Sequence, residues 1–147
     1  MNYYAHTAVR PDGKPDPNPA NWQLLSTHLR NVAGLAKRFA DPLGLAVEAW
    51  LAGLLHDLGK YAERFQARLR NAAIRGINHW AAGARKAADL KAALLDYAID
   101  GHHTGLPAAG ELRQSLLKMG DASCSHELTR CAESVSELMG QIGRAHV

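Results

Sequence analysis

The chain carries only two cysteines, Cys124 and Cys131, and a spacing of seven makes no metal-type doublet. They read as small apolar residues on one helical face rather than as a disulfide. No apolar run approaches the roughly 20 residues needed to span a bilayer. No basic segment followed by an apolar stretch opens the chain, so no secretory leader is expected. Alternating strand patterns, hairpin signals and internal repeats are missing as well. These absences argue against a membrane span, a disulfide-stapled module and a cysteine-bound structural zinc site, and they fit a reducing cytoplasm. What remains is 147 residues, 47% apolar and 21% charged, the composition of one soluble domain able to bury its own core.

The apolar residues recur at helical spacing. Pro11, Pro15, Pro17 and Pro19 make residues 7–20 an extended loop. Asn21 is a candidate N-cap for a first helix whose apolar face carries Leu25, His28, Leu29, Val32, Leu35, Ala36 and Phe39. Asp41-Pro42 and Gly44 end it. Further helices are predicted over residues 45–58, stopped by Gly59, then 62–73, 79–88 after a possible Asn78 cap, and 90–99. Gly101-His102-His103-Thr104-Gly105-Leu106-Pro107 is expected to leave the last of these as a tight polar turn, and weaker helices follow near 111–119 and 125–139. The predicted fold class is all-α, a compact helical bundle.

Net charge is +3, distributed unevenly. Between Lys60 and Lys91, eight basic residues face only Glu63 and Asp89, a net of +6 that leaves −3 elsewhere. Arg64 and Arg68 lie one helical turn apart and share a face. Such a stretch suits a polyanion such as DNA or RNA, and equally a solvated helix surface.

The chemistry gathers around Leu54-Leu55-His56-Asp57-Leu58-Gly59-Lys60. An ionised aspartate at the end of a leucine run is costly unless paired or metal-bound. Imidazole nitrogen beside carboxylate oxygen suits first-row transition metals, with Mn, Fe, Co and Ni all chemically reasonable, and a carboxylate has two oxygens with which to bridge two ions. His28 on its apolar face fits either a satisfied core histidine or a ligand. His79 fits a surface residue at a helix start or a ligand. His102-His103, between two glycines, fits a surface turn or a pair of rings aimed at one centre. Lys60 fits a cation at a helix C-terminus or a contact to a phosphate oxygen. His6, His126 and His146 have no supporting neighbours and read as surface residues. Trp22, Trp50 and Trp80 read as core anchors, with Trp80 beside His79 a candidate cleft wall. The order His28, His56-Asp57, His79, His102-His103 is the pattern of a dinuclear site, and bound ions that activate water and neutralise a phosphodiester imply phosphoester hydrolysis. The four residues His56, Asp57, His102 and His103 should then converge from different helices, with His28 and His79 flanking them.

This pattern resembles the HD superfamily of metal-dependent phosphohydrolases, and more narrowly the HD nuclease domain of the CRISPR-associated type I helicase–nuclease. The finer resemblance rests on Tyr3-Tyr4-Ala5-His6, Trp22-Gln23-Leu24-Leu25 before His28-Leu29, Leu51 to Tyr61, Phe65-Gln66, Asn78-His79 and Gly101 to Pro107, and covers about residues 3–120. It implies an HD-domain bundle with a central metal-binding cleft and two divalent ions. The first would be held by His28, His56 and Asp57, and the second by Asp57, His79, His102 and His103. It also implies cleavage of single-stranded DNA in antiviral defence, with a helicase domain (fused or separate) and a guide-RNA surveillance complex as partners. Asp57 and Lys60 would serve catalysis.

One departure stands out. The family has a further aspartate on a late helix, whereas here only Asp121 follows, without the apolar helix expected before it. The first ion would thus keep fewer protein ligands than the second. Residues 1–141 are read as the HD domain, and 142–147, Ile-Gly-Arg-Ala-His-Val, resemble the translation of a sequencing-library adapter. Two other functions fit the residues: an HD phosphohydrolase acting on small nucleotides, which typically needs fewer histidines, and a non-catalytic metal-binding module.

Overall fold

The first and second helices of the chain pack side by side, and everything that positions the Asp57 region hangs from that pair. A computed structural model of the protein describes residues 2–111 apart from 91, 106, 107 and 109. The weaker helices expected near 111–119 and 125–139, Asp121, both cysteines and the tail 142–147 lie outside the described residues. The architecture is all-α as expected, with five helices and one two-stranded ribbon among the described residues: β1 (Tyr4–His6), β2 (Gln23–Leu24), α1 (Leu25–Ala40), α2 (Ala46–Leu55), α3 (Glu63–Arg70), α4 (Ala81–Asp89) and α5 (Ala93–Thr104). No helix among the described residues is long and apolar enough to cross a membrane.

The antiparallel ribbon pairs Tyr4 with Leu24 and His6 with Gln23. Strands of three and two residues are too short to display alternation, so the sequence gives no sign of them. The ribbon also moves the start of α1. Asn21, expected as its N-cap, instead donates its side-chain amide to Asp16 at 2.7 Å and closes a 3-10 turn at Pro19–Asn21. The helix begins four residues later, at Leu25, whose N–H donates to Tyr3 O at 2.9 Å.

Two apolar clusters form the core. One joins Ala5, Leu25, Leu29, Ala33 and Leu54, and so ties β1, α1 and α2 together. The other joins Leu55, Leu58, Ala84, Ala87, Leu95 and Ile99, from α2, α4 and α5. The inward stripe of α1 is narrower than its periodicity predicts. Leu25, Leu29 and Ala33 are buried, whereas Leu35 and Phe39 are 51% and 79% exposed. Leu35 lies two residues beyond Ala33, on nearly the opposite side of the helix from the face that meets α2.

Helix α2 stops three residues earlier than expected, where one neighbour takes a hydrogen-bonding group and another crowds its last turn. The N–H of Gly59, which a continuing helix would aim at Leu55 O, donates instead to His79 O at 3.0 Å. Gly83 of α4 presses on the carbonyl of Leu55 so closely that a Cβ there would lie 1.9 Å from the oxygen. The chain turns at Asp57 into a 3-10 segment, Leu58–Tyr61. Helix α3 is also shorter than expected, ending at Arg70. There Asn71 folds its side chain back to accept from Ala73 N at 3.0 Å, a local bond that competes with the helix. Helix α4 opens at Ala81, two residues later than expected, with Trp80 rather than Asn78 at its cap position; Asn78 stays outside the helix, its side-chain oxygen accepting from Ala81 N at 2.9 Å.

Helix α5 departs most from expectation. It does not end at Ile99 but runs through Gly101, His102 and His103 to Thr104, and the tight polar turn expected there is absent. Glycine inside a helix costs only about 1 kcal/mol, which the burial of Leu95 and Ile99 offsets. Gly105, at φ 84°, is the actual stop, its N–H donating back to Gly101 O at 2.8 Å.

Candidate metal centre

Asp57 is the hub. It sits just past the end of α2, 4% exposed, and its two oxygens serve two sides of one cleft. On one side Oδ2 lies 3.1 Å from His28 Nε2 of α1, 3.2 Å from His56 Nε2 and 2.8 Å from Lys60 Nζ. On the other, Oδ1 lies 3.4 Å from His79 Nε2, yet it is buried with no hydrogen-bond partner among the described residues. Beyond His79 stand the rings of α5: His79 Nε2 and His103 Nε2 are 2.9 Å apart, and the His102 and His103 ring centres are separated by 4.1 Å. His56 joins the two sides, its ring 5.3 Å from that of His28 and 5.4 Å from that of His102.

All six residues expected at the site are therefore in one place, delivered by α1, the end of α2, the segment before α4 and the last turn of α5. Ligand atoms of Asp57, His79, His102 and His103 lie within 4.8 Å of one another. The same holds for His6, His28 and Asp57. His6 is exposed, as its reading as a surface residue has it, but it is not without neighbours, and this proximity is what the sequence does not show. Its ring meets that of His28 edge-on at 5.1 Å.

Two of the rings are locked by their own helices. His56 donates its Nδ1–H to Gly53 O at 2.8 Å, and His102 donates its Nδ1–H to Ile99 O at 2.6 Å. A carbonyl can only accept, so both rings carry a proton on Nδ1; this turns Nε2 of His102 to the cleft, and Nε2 of His56 to Asp57 Oδ2 at 3.2 Å. That outer hydrogen bond is the habitual support of a metal-bound histidine. Gly59 completes the floor. A Cβ there would lie 2.5 Å from His79 O, so only glycine lets the His79 backbone reach the Asp57 turn.

The electrostatics follow from this crowding. Burial alone would raise the Asp57 carboxyl, but hydrogen bonds from His28, His56 and Lys60 outweigh it and hold the group well below the usual carboxylate range. Burial pushes His79 down to about 4 despite the opposing pull of Asp57, with Lys60 and the α5 histidines adding to the fall. Burial likewise lowers His102. Neutral imidazoles at His79 and His102 beside one ionised carboxylate are the protonation states that metal ligands require. The orphaned Oδ1 and the converging nitrogens fit a divalent cation on chemical grounds.

Lys60 is buried, and its ammonium faces inward. Besides Asp57, its Nζ lies 3.4 Å from both Ala5 O and His6 Nε2, and 5.4 Å from the centre of the Phe65 ring. It therefore belongs to the site rather than to the exposed basic stretch counted from the sequence. Arg64 and Arg68 do share a face of α3, but both are engaged, reaching Arg75 O and Ile74 O at 3.5 and 2.6 Å and bracing the segment that leads to His79. Trp80 lines the cleft, its ring 5.1 Å from that of His103. Trp22 is a buried anchor as expected.

The HD domain family profile matches residues 25–136, most of the chain, and the chain belongs to that family. HD domains form a superfamily of metal-dependent hydrolases that bind divalent ions, and the His/Asp cluster around Asp57 can hold one. A comparison with curated proteins returns no match.

Proposed function

We propose that the protein is a metal-dependent phosphodiesterase that cleaves single-stranded DNA, the HD nuclease partner of a helicase in CRISPR antiviral defence. The observation that carries this reading is the division of one buried carboxylate between two sets of imidazoles, His28 and His56 at Oδ2 and His79 with His102 and His103 beyond Oδ1. A single-ion site would leave the second set without a purpose. The His102-His103 pair on the last turn of α5 also matches the doubled histidine on which the resemblance to the helicase–nuclease domain chiefly rests.

Two divalent ions, drawn from Mn, Fe, Co or Ni, would supply an activated water and neutralise the charge that develops on the phosphate. The chain's own groups do the rest. Asp57 stays ionised and offers one oxygen to each side. The Nδ1 locks on His56 and His102 fix ring orientation before any ligand arrives, which is the preorganisation a charge-stabilising site depends on. Lys60 holds a positive charge against Oδ2, and Trp80 offers an aromatic face at the cleft wall on which a base can stack. The helicase, whether fused or separate, and the guide-RNA surveillance complex would deliver the strand.

The test uses the metal-free chain reloaded with each of the four ions, on circular single-stranded DNA and on a panel of nucleoside mono- and triphosphates. Cleavage of the circle that disappears in Asp57→Ala is the expected result. Turnover of the small nucleotides alone would assign the protein to the nucleotide phosphohydrolases, and metal binding without hydrolysis of either would make it a binding module.

A further inference from the structure

We infer that His6 is a metal ligand, completing the set formed by His28 and Asp57 Oδ2 from a strand that lies outside the helical bundle. The inference rests on the metal-binding reading of the same cleft and adds a residue that the sequence pattern does not assign to it. Three observations carry it.

The first is proximity. Ligand atoms of His6, His28 and Asp57 lie within 4.8 Å of one another. Two nitrogen or oxygen ligands each about 2.1 Å from one ion stand at most about 4.2 Å apart, so a small rotation of the His6 ring closes the set. The second is orientation. A lysine ammonium has only hydrogens to give, so its 3.4 Å contact to His6 Nε2 requires that nitrogen to accept, with its lone pair aimed into the cleft. Lys60 Nζ in fact sits among three such acceptors, Asp57 Oδ2, Ala5 O and His6 Nε2, so this corner of the cleft already holds a cation.

The third is anchorage. A residue this near the N-terminus would ordinarily be a poor ligand because its backbone frays. Here β1 is held on both edges. On one edge it pairs with β2. On the other, the side chain of Gln66 imitates a neighbouring strand, accepting from Tyr4 N at 3.0 Å and donating to Tyr4 O at 2.9 Å, while also donating to Lys60 O. Ala5, between Tyr4 and His6, is 1% exposed. His6 is thus presented by a fixed backbone to the side of Asp57 where His28 and His56 supply the other nitrogens. It also addresses the departure noted in the sequence, because it gives the first ion a ligand in addition to His28, His56 and Asp57.

The experiment compares the full chain with His6→Phe, which keeps the ring and its packing against His28 but removes both nitrogens, and with His6→Glu, which keeps a donor of similar reach. Each protein, stripped of metal, is titrated with Mn²⁺ by calorimetry, and Co²⁺ absorption reports ligand number. We expect two binding events in the wild type, at least about tenfold weaker affinity for one of them in His6→Phe, and near-wild-type binding in His6→Glu. Equal Mn²⁺ affinities and unchanged Co²⁺ spectra in wild type and His6→Phe would overturn the inference. An equal loss in both variants would make His6 a packing residue and overturn it too. A His6-dependent Mn²⁺ affinity in a wild type that cuts no DNA would leave the inference standing and remove the nuclease reading. A wild type that binds no divalent ion would remove both.

Discussion

Gly83 is the point at which the core and the metal centre can be disturbed together by one methyl group. A Cβ on this residue would meet Leu55 O at 1.9 Å, Leu55 C at 2.8 Å and Ile99 Cγ2 at 3.4 Å. The first two atoms are backbone, so no rotamer change relieves the clash. Restoring ordinary contact requires α4 to retreat by about 1.5 Å from the last turn of α2, in a core where overpacking typically costs ~1–3 kcal/mol. Replacing glycine by alanine in a helix returns about 1 kcal/mol. Because the obstacle is main chain, the cost belongs at or above the top of that range, and we expect Gly83→Ala to lose about 2 kcal/mol net. At this chain length that is a fall of about 4–8 °C in Tm. Gly34, in the middle of α1, has nothing within 4 Å of its Cβ position. Gly34→Ala should therefore gain ~0.5–1 kcal/mol and is the matched control. Urea denaturation of the three proteins measures both effects. Leu55 immediately precedes His56, and His79 is bonded through its carbonyl to Gly59, so the retreat of α4 also spreads the ligand set. Mn²⁺ affinity should fall in Gly83→Ala and hold in Gly34→Ala. A Gly83→Ala protein within about 0.5 kcal/mol of wild type, a difference ordinary for surface changes, and with unchanged Mn²⁺ affinity would refute the reasoning.

Two further outcomes follow from buried charges. Lys60→Met removes a cation that is 5% exposed and leaves Asp57 ionised beside it. The metal-free protein should lose ~3 kcal/mol or more, and added Mn²⁺ should recover much of that loss in thermal denaturation; a variant equally unstable with and without Mn²⁺ would count against the cation site. Asp96 is buried, with Oδ1 unpartnered among the described residues, and burial followed by the nearby Asp100 pushes it up to about 6. Its contribution to stability is thus fully present below the ordinary carboxyl value and is lost as pH rises through about 6. Asp96→Asn should flatten that decline in urea midpoints measured from pH 4 to 7, and an unchanged slope would contradict the assignment.

The all-α class and the membership of the His/Asp cluster were more legible in the sequence than the boundaries of the helices. His28, His56, Asp57, His79, His102 and His103 could be picked out because chemistry is carried by residue type and order, neither of which depends on knowing where helices stop. The boundaries were misplaced where tertiary contacts decide them. Asn21 caps nothing in α1 because Asp16 claims its amide. Helix α2 ends early because His79 takes the N–H of Gly59. Helix α5 runs through Gly101 because the apolar face of Leu95 and Ile99 outweighs a local breaker. The closeness of His6 to this cluster was hidden for the same reason. Its neighbours Lys60 and His28 are far along the chain, and the local hint is the Tyr3-Tyr4-Ala5 stretch before it, in which Ala5 is buried. The inward turn of Lys60 was equally out of reach, since a lysine after a glycine stop reads locally as a solvated cation.

Two helices, α2 and α5, bring their C-terminal ends to this cleft. Helix α2 runs out at Leu55, next to His56 and Asp57, and α5 at Thr104, just past His102 and His103. Each C-terminal end carries roughly half a negative charge from its unpaired carbonyls. These ends add to the charge of the ionised Asp57, which Lys60 offsets on the Oδ2 side. The direction of the helices therefore favours a cation in the cleft: a divalent ion beside Asp57, His79 and the α5 histidines would gain from both helix ends, as an anion alone would not.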